Sequence, residues 1–210
     1  MSNGPGVTGS YNEAWLRYAW KRWLRAYARG GAIVDYGCGI GVNGAVLADL
    51  AQRRVIGVDL DRGCLAESRR RGLAPVRADL TRSLPVRPES VDIALLVHYI
   101  EHVPDPRFLL ASIAATLVPG GALVVVTPDW TRSIRGFYDD PTHCRPYTAA
   151  SLASVLSAAG FRVRVLKQHN VGYRLGRTGI WRIFKALCFT GDGLFAIAEL
   201  AGGNRCGRES

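Results

Sequence analysis

The chain has 210 residues, 48% of them hydrophobic, and a formal net charge of +10, which suits one large α/β domain, or a domain with a small extension, drawn to anionic partners. No run of about 18 apolar residues is present, which argues against a membrane span. The five cysteines (38, 64, 144, 188 and 206) are odd in number and never form C-x-x-C, which argues against a disulfide framework or a cysteine zinc site.

Residues 1–10 are rich in Gly, Ser and Asn, and the N-terminus lacks the charged-then-apolar pattern of a secretion signal, so a cytoplasmic protein is expected. Residues 11–29, YNEAWLRYAWKRWLRAYAR, read as an amphipathic helix ended by Gly30-Gly31. Trp15, Tyr18, Ala19, Trp23 and Ala26 fall near one face, and Arg17, Lys21, Arg25 and Arg29 near the other. Apolar runs then alternate with helical patterns. Strands are expected at AIVDYG (32–37), RVIGVDL (54–60), APVRADL (74–80), VDIALLV (91–97) and ALVVVTP (122–128). Helices are expected over NGAVLADLAQR, RGCLAESRRR and PRFLLASIAATL, the last closed by Pro119-Gly120-Gly121. Continuous Val/Ile/Leu runs between helices indicate a parallel sheet covered on both faces. The helix AASLASVLSAAG, a sixth strand FRVRVLKQ and a seventh, LFAIAEL (194–200), complete the pattern.

Two stretches invite competing chemistries. In VDYGCGIGVNG, Gly39-x-Gly41-x-x-Gly44 fits the dinucleotide fingerprint, whereas Asp35-x-Gly37-x-Gly39-x-Gly41 fits the D/E-x-G-x-G-x-G loop of S-adenosylmethionine-dependent methyltransferases. Asp59 ends the second strand, where a carboxylate meets ribose hydroxyls in either case. Asp79-Leu80 ends the third, where only the methyltransferase has a use for it, gripping adenine. The other stretch is LLVHYIEHVPDP, whose His98-x-x-Glu101-His102 matches a zinc-hydrolase signature. That signature needs both histidines on one helix, but this segment leaves a strand and meets Pro104, so hydrolase chemistry is not expected.

With VDYGCGIG, VIGVDLD, VRADLT, LPVRPESVDIALLVHYIEHVPDP and LVPGGALVVVTP in order, the chain resembles class I S-adenosylmethionine-dependent methyltransferases over roughly residues 32–200. The resemblance implies an α/β, Rossmann-like seven-stranded sheet, mostly parallel with an antiparallel last strand, and helices on both faces. It implies S-adenosyl-L-methionine as cofactor. Gly37, Gly39 and Gly41 would shape the loop around its amino-acid part, with Tyr36 and Cys38 between and beside them, and Asp35 would orient its ammonium. Asp59 and Leu60 would flank the ribose, Asp79 and Leu80 the adenine, and Val97 and His98 the methyl. Residues 1–30 are expected to form a helix or lid, 31–201 the methyltransferase domain, with 130–150 and 170–192 on the substrate side, and 202–210 a flexible tail.

The segment GFYDDPTHCRPYTAASLASVLSAAGF (136–161) resembles a subgroup acting on glycan-linked and related products. His143, and after it His98, are the candidate bases; Tyr99, His143, Arg145 and Tyr11 are the candidate acceptor contacts. An equally open reading has Asp140, Thr142, His143 and Arg145 bonding one another to stiffen a lid. Methyl transfer to a hydroxyl of a small, glycan-linked or natural-product acceptor is the expected function. A nicotinamide oxidoreductase and a non-catalytic cofactor-binding module are the alternatives. Small-RNA 2′-O-methyltransferases also resemble the region after the fourth strand and bind a divalent ion there, but His98 stands at their first glutamate, so no metal is expected. The basic aromatic stretches 11–29 and 173–189 leave peripheral contact with the inner membrane face open; nucleic acid is a weaker expectation.

Overall fold

The computed structural model describes residues 16–134, 137–168 and 193–200. Seven strands form one sheet: β1 (Ala32–Tyr36), β2 (Val55–Asp59), β3 (Ala74–Arg77), β4 (Val91–Val97), β5 (Leu117–Pro128), β6 (Phe161–Gln168) and β7 (Gly193–Leu200), in spatial order β3-β2-β1-β4-β5-β7-β6. The pairings among β1 to β5 are parallel. The reversed strand is β7, antiparallel to both β5 and β6.

Helices α1 (residues 16–22), α2 (Val42–Ala51), α3 (Arg62–Arg70), α4 (Arg107–Thr116), a one-turn α5 (Trp130–Ser133) and α6 (Ala149–Ala158) accompany the sheet. Alternation along β4 shows why it is apolar from Ile93 to Val97. Ile93, Leu95 and Val97 join a cluster with Leu16, Trp20, Leu47 and Leu65, while Ala94 and Leu96 join the opposite one with Leu110, Ile113, Leu152 and Leu156. Both faces of the central strand are therefore covered by helices, the arrangement that parallel sheets require. The chain runs outward from β1 through β2 to β3 and then returns to β4. That reversal opens a crevice at the carboxyl ends of β1 and β4.

Three expectations shift. Of the face expected to be apolar, Ala19 is buried and Trp23 packs against the core, whereas Tyr18 and Ala26 are exposed; Leu16, Trp20 and Leu24 complete the buried side. Leu16, Ala19, Trp20 and Leu24 stand at i, i+3, i+4 and i+8, so the buried stripe keeps the helical period and follows the leucines and Trp20 rather than Tyr18, before the chain tightens into a 3-10 turn at Leu24–Ala26. The fifth strand begins at Leu117 instead of Ala122, because Leu117 pairs with Val91 and a bulge in β5, opposite Asp92, takes up Pro119-Gly120-Gly121. The third strand stops at Arg77, where Asp79 turns the chain by accepting from Thr81 N at 3.0 Å and Thr81 Oγ1 at 2.6 Å.

The end of the α1 segment is fastened to the sheet. Buried Asp92 on β4 accepts from Arg29 N and Gly31 N, both at 2.7 Å, and lies 3.5 Å from Arg53 Nη1. Tyr27 donates to Glu199 Oε1 on β7 at 2.6 Å. Tyr11, residues 169–192 with the 173–189 stretch, and residues 201–210 lie outside the described residues. No helix among the described residues is long and apolar enough to cross a membrane.

Candidate active site

The loop from β1 to α2 is pinned beneath β2: Gly37 N and Cys38 N both donate to Val58 O, at 2.8 and 3.0 Å. Its glycines differ in purpose. Gly39 has φ +51, and a Cβ built there meets nothing within 4 Å, so its open side faces free space where a ligand can reach the backbone. At Gly41 a Cβ would stand 2.7 Å from Ser68 Cβ, so this glycine permits α3 to pack close. At Gly37 it would stand 2.3 Å from Tyr99 Cδ2, so the Tyr99 ring lies directly on the loop. Burial raises the Tyr99 hydroxyl, and Asp59 and Asp79 raise it further. Tyr99, expected beside the acceptor, thus packs against the glycine loop.

Around this loop the acids diverge in environment. Asp35 is 1% exposed, and its Oδ2 has no hydrogen-bond partner among the described residues. Burial lifts its carboxyl to about 7; the Gly44 amide opposes this and Asp59 adds to it. Asp59 spends one lone pair per oxygen, accepting from Gly39 N at 2.8 Å and Asp61 N at 3.0 Å, which leaves capacity for two hydroxyl donors. Next to it Leu60 is 53% exposed, an apolar surface at the mouth of the crevice. Asp79 is held below the usual carboxylate range by Thr81.

Leu80 and Val97 sit in the two cores. The Tyr36 side chain is buried away from the loop, its hydroxyl 3.0 Å from Thr116 Oγ1. Burial, followed by Asp35 and Asp59, pushes the Cys38 thiol up to about 12, so it stays protonated.

Beyond β4 the chain makes an abrupt turn. His98 takes φ +51, a left-handed conformation that costs a non-glycine residue of order 1 kcal/mol or more and gathers at functional sites. Its side chain is 46% exposed, and its Nδ1 lies 3.3 Å from Oε1 of Glu101, which is 0% exposed. The other Glu101 oxygen accepts from Thr127 Oγ1 on β5 at 3.0 Å. The backbone carbonyl of Glu101 in turn accepts from Cys144 N and Arg145 N, both at 3.0 Å. One residue therefore joins the ends of β4 and β5 to the Asp140–Tyr147 segment.

That segment is built as a stiff cover. Thr142 Oγ1 donates to Asp140 Oδ1 and lies 2.9 Å from His102 Nδ1. His143 Nδ1 is 2.6 Å from Phe137 O. Arg145 donates to Pro104 O at 2.8 Å and lies over the Tyr147 ring at 5.7 Å, so its visible contacts secure the segment. Trp130 N donates to Tyr147 O at 2.8 Å, closing the cover onto β5.

Thr127 and Asp129, at the end of β5, were not apparent as site residues. Asp129 is buried, caps α5 through Thr131 N at 3.0 Å, and keeps Oδ2 without a hydrogen bond. The signal was a polar residue ending an otherwise Val-rich strand, VVVTPD. Asn43 was also missed; its buried Oδ1 is likewise unpartnered beside the loop.

The described residues fit a ligand with an ammonium, a ribose and an adenine ring. Unpartnered Asp35 Oδ2 suits the cation, the open face of Gly39 suits close backbone approach, and Asp59 and Leu60 suit the sugar and ring. The profile of the methyltransferase-domain family matches residues 11–166. A probable S-adenosylmethionine-dependent methyltransferase of Mycolicibacterium smegmatis is 34% identical over 134 residues, 62% of this chain and 52% of that protein. A ubiquinone biosynthesis O-methyltransferase of Bordetella pertussis is 33% identical over 113 residues, 50% of this chain and 46% of that protein. The chain thus spans about half the length of these curated relatives. A crystal structure of an S-adenosylmethionine-dependent methyltransferase from Mesorhizobium loti superposes with a TM-score of 0.67 at 20% identity, over 86% of this chain and 97% of that one, a likeness of fold.

Proposed function

Because the chain belongs to the methyltransferase-domain family, with S-adenosylmethionine as cofactor, we propose that it methylates a hydroxyl oxygen of a small, glycan-linked or natural-product acceptor, with His98 as general base. S-adenosylmethionine bound along the glycine loop supplies an electrophilic sulfonium methyl group. Asp35 would hold its ammonium, Asp59 its ribose hydroxyls, and Tyr99 and Leu60 the apolar walls beside it.

The observation that carries the reading is the relay His98–Glu101–Thr127 at the carboxyl ends of β4 and β5. An ionised carboxylate only accepts, so Glu101 keeps the proton of neutral His98 on Nδ1 and leaves Nε2 with a free lone pair. As the acceptor oxygen bonds to the methyl carbon and the carbon–sulfur bond breaks, the hydroxyl proton passes to Nε2 of His98. Buried Glu101 then steadies the imidazolium, as a carboxylate does in other His-based catalysts. His143 is the weaker base: its side chain is 14% exposed and its Nδ1 is spent on Phe137 O. The remaining catalysis is alignment of oxygen, methyl and sulfur. The relative of Bordetella pertussis named for O-methylation supports oxygen as the target. The dinucleotide spacing Gly39-x-Gly41-x-x-Gly44 no longer recommends an oxidoreductase, since the same loop lies within the family match.

Cell extract incubated with methyl-labelled cofactor and the purified chain identifies the acceptor by its mass shift. With that acceptor, His98→Gln is expected to lower kcat by roughly 100-fold or more at unchanged cofactor affinity. A rate within a few-fold of wild type removes His98 from the mechanism, and labelled product absent from every extract removes the reading.

A further inference from the structure

We propose that Glu101, His102 and His143 form a binding site for one divalent transition-metal ion, of the kind that favours imidazole, with open positions facing the acceptor. This goes beyond the methyl-transfer reading and rests on it only for the ion's role; it runs against the expectation from sequence that no metal is bound.

One ligand atom from each of these three residues lies within 4.8 Å of the others, and the two imidazole centroids are 4.8 Å apart. The hydrogen bonds fix which nitrogens are available. Thr142 has one hydroxyl proton and gives it to the Asp140 carboxylate, so toward His102 it can only accept. His102 therefore carries its proton on Nδ1 and presents Nε2 as a lone pair. His143 faces the carbonyl of Phe137 at 2.6 Å, an acceptor too, so it also carries its proton on Nδ1; its Nε2 lies 3.9 Å from Asp140 Oδ2, beyond hydrogen-bond reach, and keeps its lone pair. Both rings are thus set in the same metal-ready tautomer by groups behind them, the arrangement by which ligating histidines are oriented.

The carboxylate is prepared in the same way. Glu101 is fully buried, is bonded by Thr127 Oγ1 and keeps lone pairs for a cation. A buried carboxylate whose side-chain partners among the described residues are one hydroxyl and a half-exposed imidazole lacks full compensation for its charge, and a divalent ion supplies it. Two imidazoles and one carboxylate on one side of an ion leave several positions free, the pattern of catalytic sites rather than closed structural ones. Donor–metal distances of about 2.1 Å require donors roughly 3.5 Å apart, so the rings draw together by about 1 Å on loading. An acceptor hydroxyl in an open position becomes more acidic, which eases its deprotonation by His98.

The test uses the full chain, freed of any affinity tag and stripped with a chelator. Titration with Zn²⁺ is followed by calorimetry, and Co²⁺ loading by visible absorption. The expected result is a single equivalent bound and a Co²⁺ spectrum of a low-coordinate N/O site. His102→Gln and His143→Gln should each weaken binding at least roughly 10-fold, and Thr142→Val, which only positions His102, roughly 10–100-fold, with thermal unfolding little changed. His98→Gln should keep the metal and lose methyl transfer. No binding, or binding unaltered in the double variant of His102 and His143, overturns the site, as does full-rate methyl transfer by metal-free protein, which leaves the methyltransferase reading intact. Specific metal binding with no transfer to any acceptor overturns that reading instead and leaves the site standing.

Discussion

Replacing Asp35 by asparagine should flatten the dependence of stability on pH. The carboxyl of Asp35 is fully buried and raised from 3.8 to about 7, chiefly by desolvation. Its protonated form is therefore the one the fold favours. The contribution is complete below the unfolded value and declines as pH rises from there. It is spent above about 7, where the folded protein must ionise the group too. Three units correspond to about 4 kcal/mol in all, of which roughly 2 kcal/mol falls between pH 5.5 and 8.5. Urea unfolding followed by tryptophan fluorescence at several pH values measures it. The difference between wild type and Asp35→Asn isolates this group from every other one that titrates. Wild type should lose roughly 2 kcal/mol more than the variant across that window. The same carboxylate must be ionised to hold an ammonium, so cofactor binding near pH 6 should release a proton. Its calorimetric heat will then vary with buffer ionisation enthalpy, and Asp35→Asn should abolish the variation. Parallel stability curves for the two proteins would refute the placement of Asp35 as a desolvated acid.

Three further outcomes follow from the packing. Gly41→Ala sets a Cβ 2.7 Å from Ser68 Cβ at φ +82, and should cost about 2–3 kcal/mol by denaturant midpoint, whereas Gly39→Ala, with open space around it, should cost less stability and more cofactor affinity. Asp92→Ala leaves Arg29 N and Gly31 N without their acceptor, and should destabilise by about 3 kcal/mol and raise hydrogen exchange across α1. Leu16→Ala empties a fully buried position on α1 and should cost about 2–4 kcal/mol in thermal unfolding, where Tyr18→Ala, half exposed, should cost under about 1 kcal/mol.

What could be read from the sequence is what lies close along it. The glycine loop, Asp35 and Asp59 are legible because strand, turn and helix N-terminus occupy one short run whose spacing is the geometry. The strands are legible for the same reason, down to Val91–Val97 as a buried central strand. The face of α1 differs because the aromatic residues Tyr18 and Trp23 suggest one stripe, whereas Leu16, Trp20 and Leu24, at i, i+4 and i+8, carry the buried one. The Glu101 hub could not be read at all. Its partners Thr127, Cys144 and Arg145 are 26 to 44 residues away and meet it only because β4 and β5 end side by side. Arg145 shows the same limit from the other side. As a residue type it suggests anion binding, yet its guanidinium bonds the carbonyl of Pro104, a partner that only the tertiary fold supplies.

The place of β7 sets an order on how this protein is made. Among the described residues β6 pairs with β7 and with no other strand, and β5 meets β7 on its outer side. A growing chain that has reached Gln168 therefore carries two unfinished borders, one on β5 and one on β6, each a row of free amides and carbonyls able to recruit strands from neighbouring chains. Both are closed by a single late event, the insertion of Gly193–Leu200 between them. Release or cleavage before that segment emerges from the ribosome yields a product whose fate is aggregation, even though every residue of the glycine loop and the His98 turn is already present.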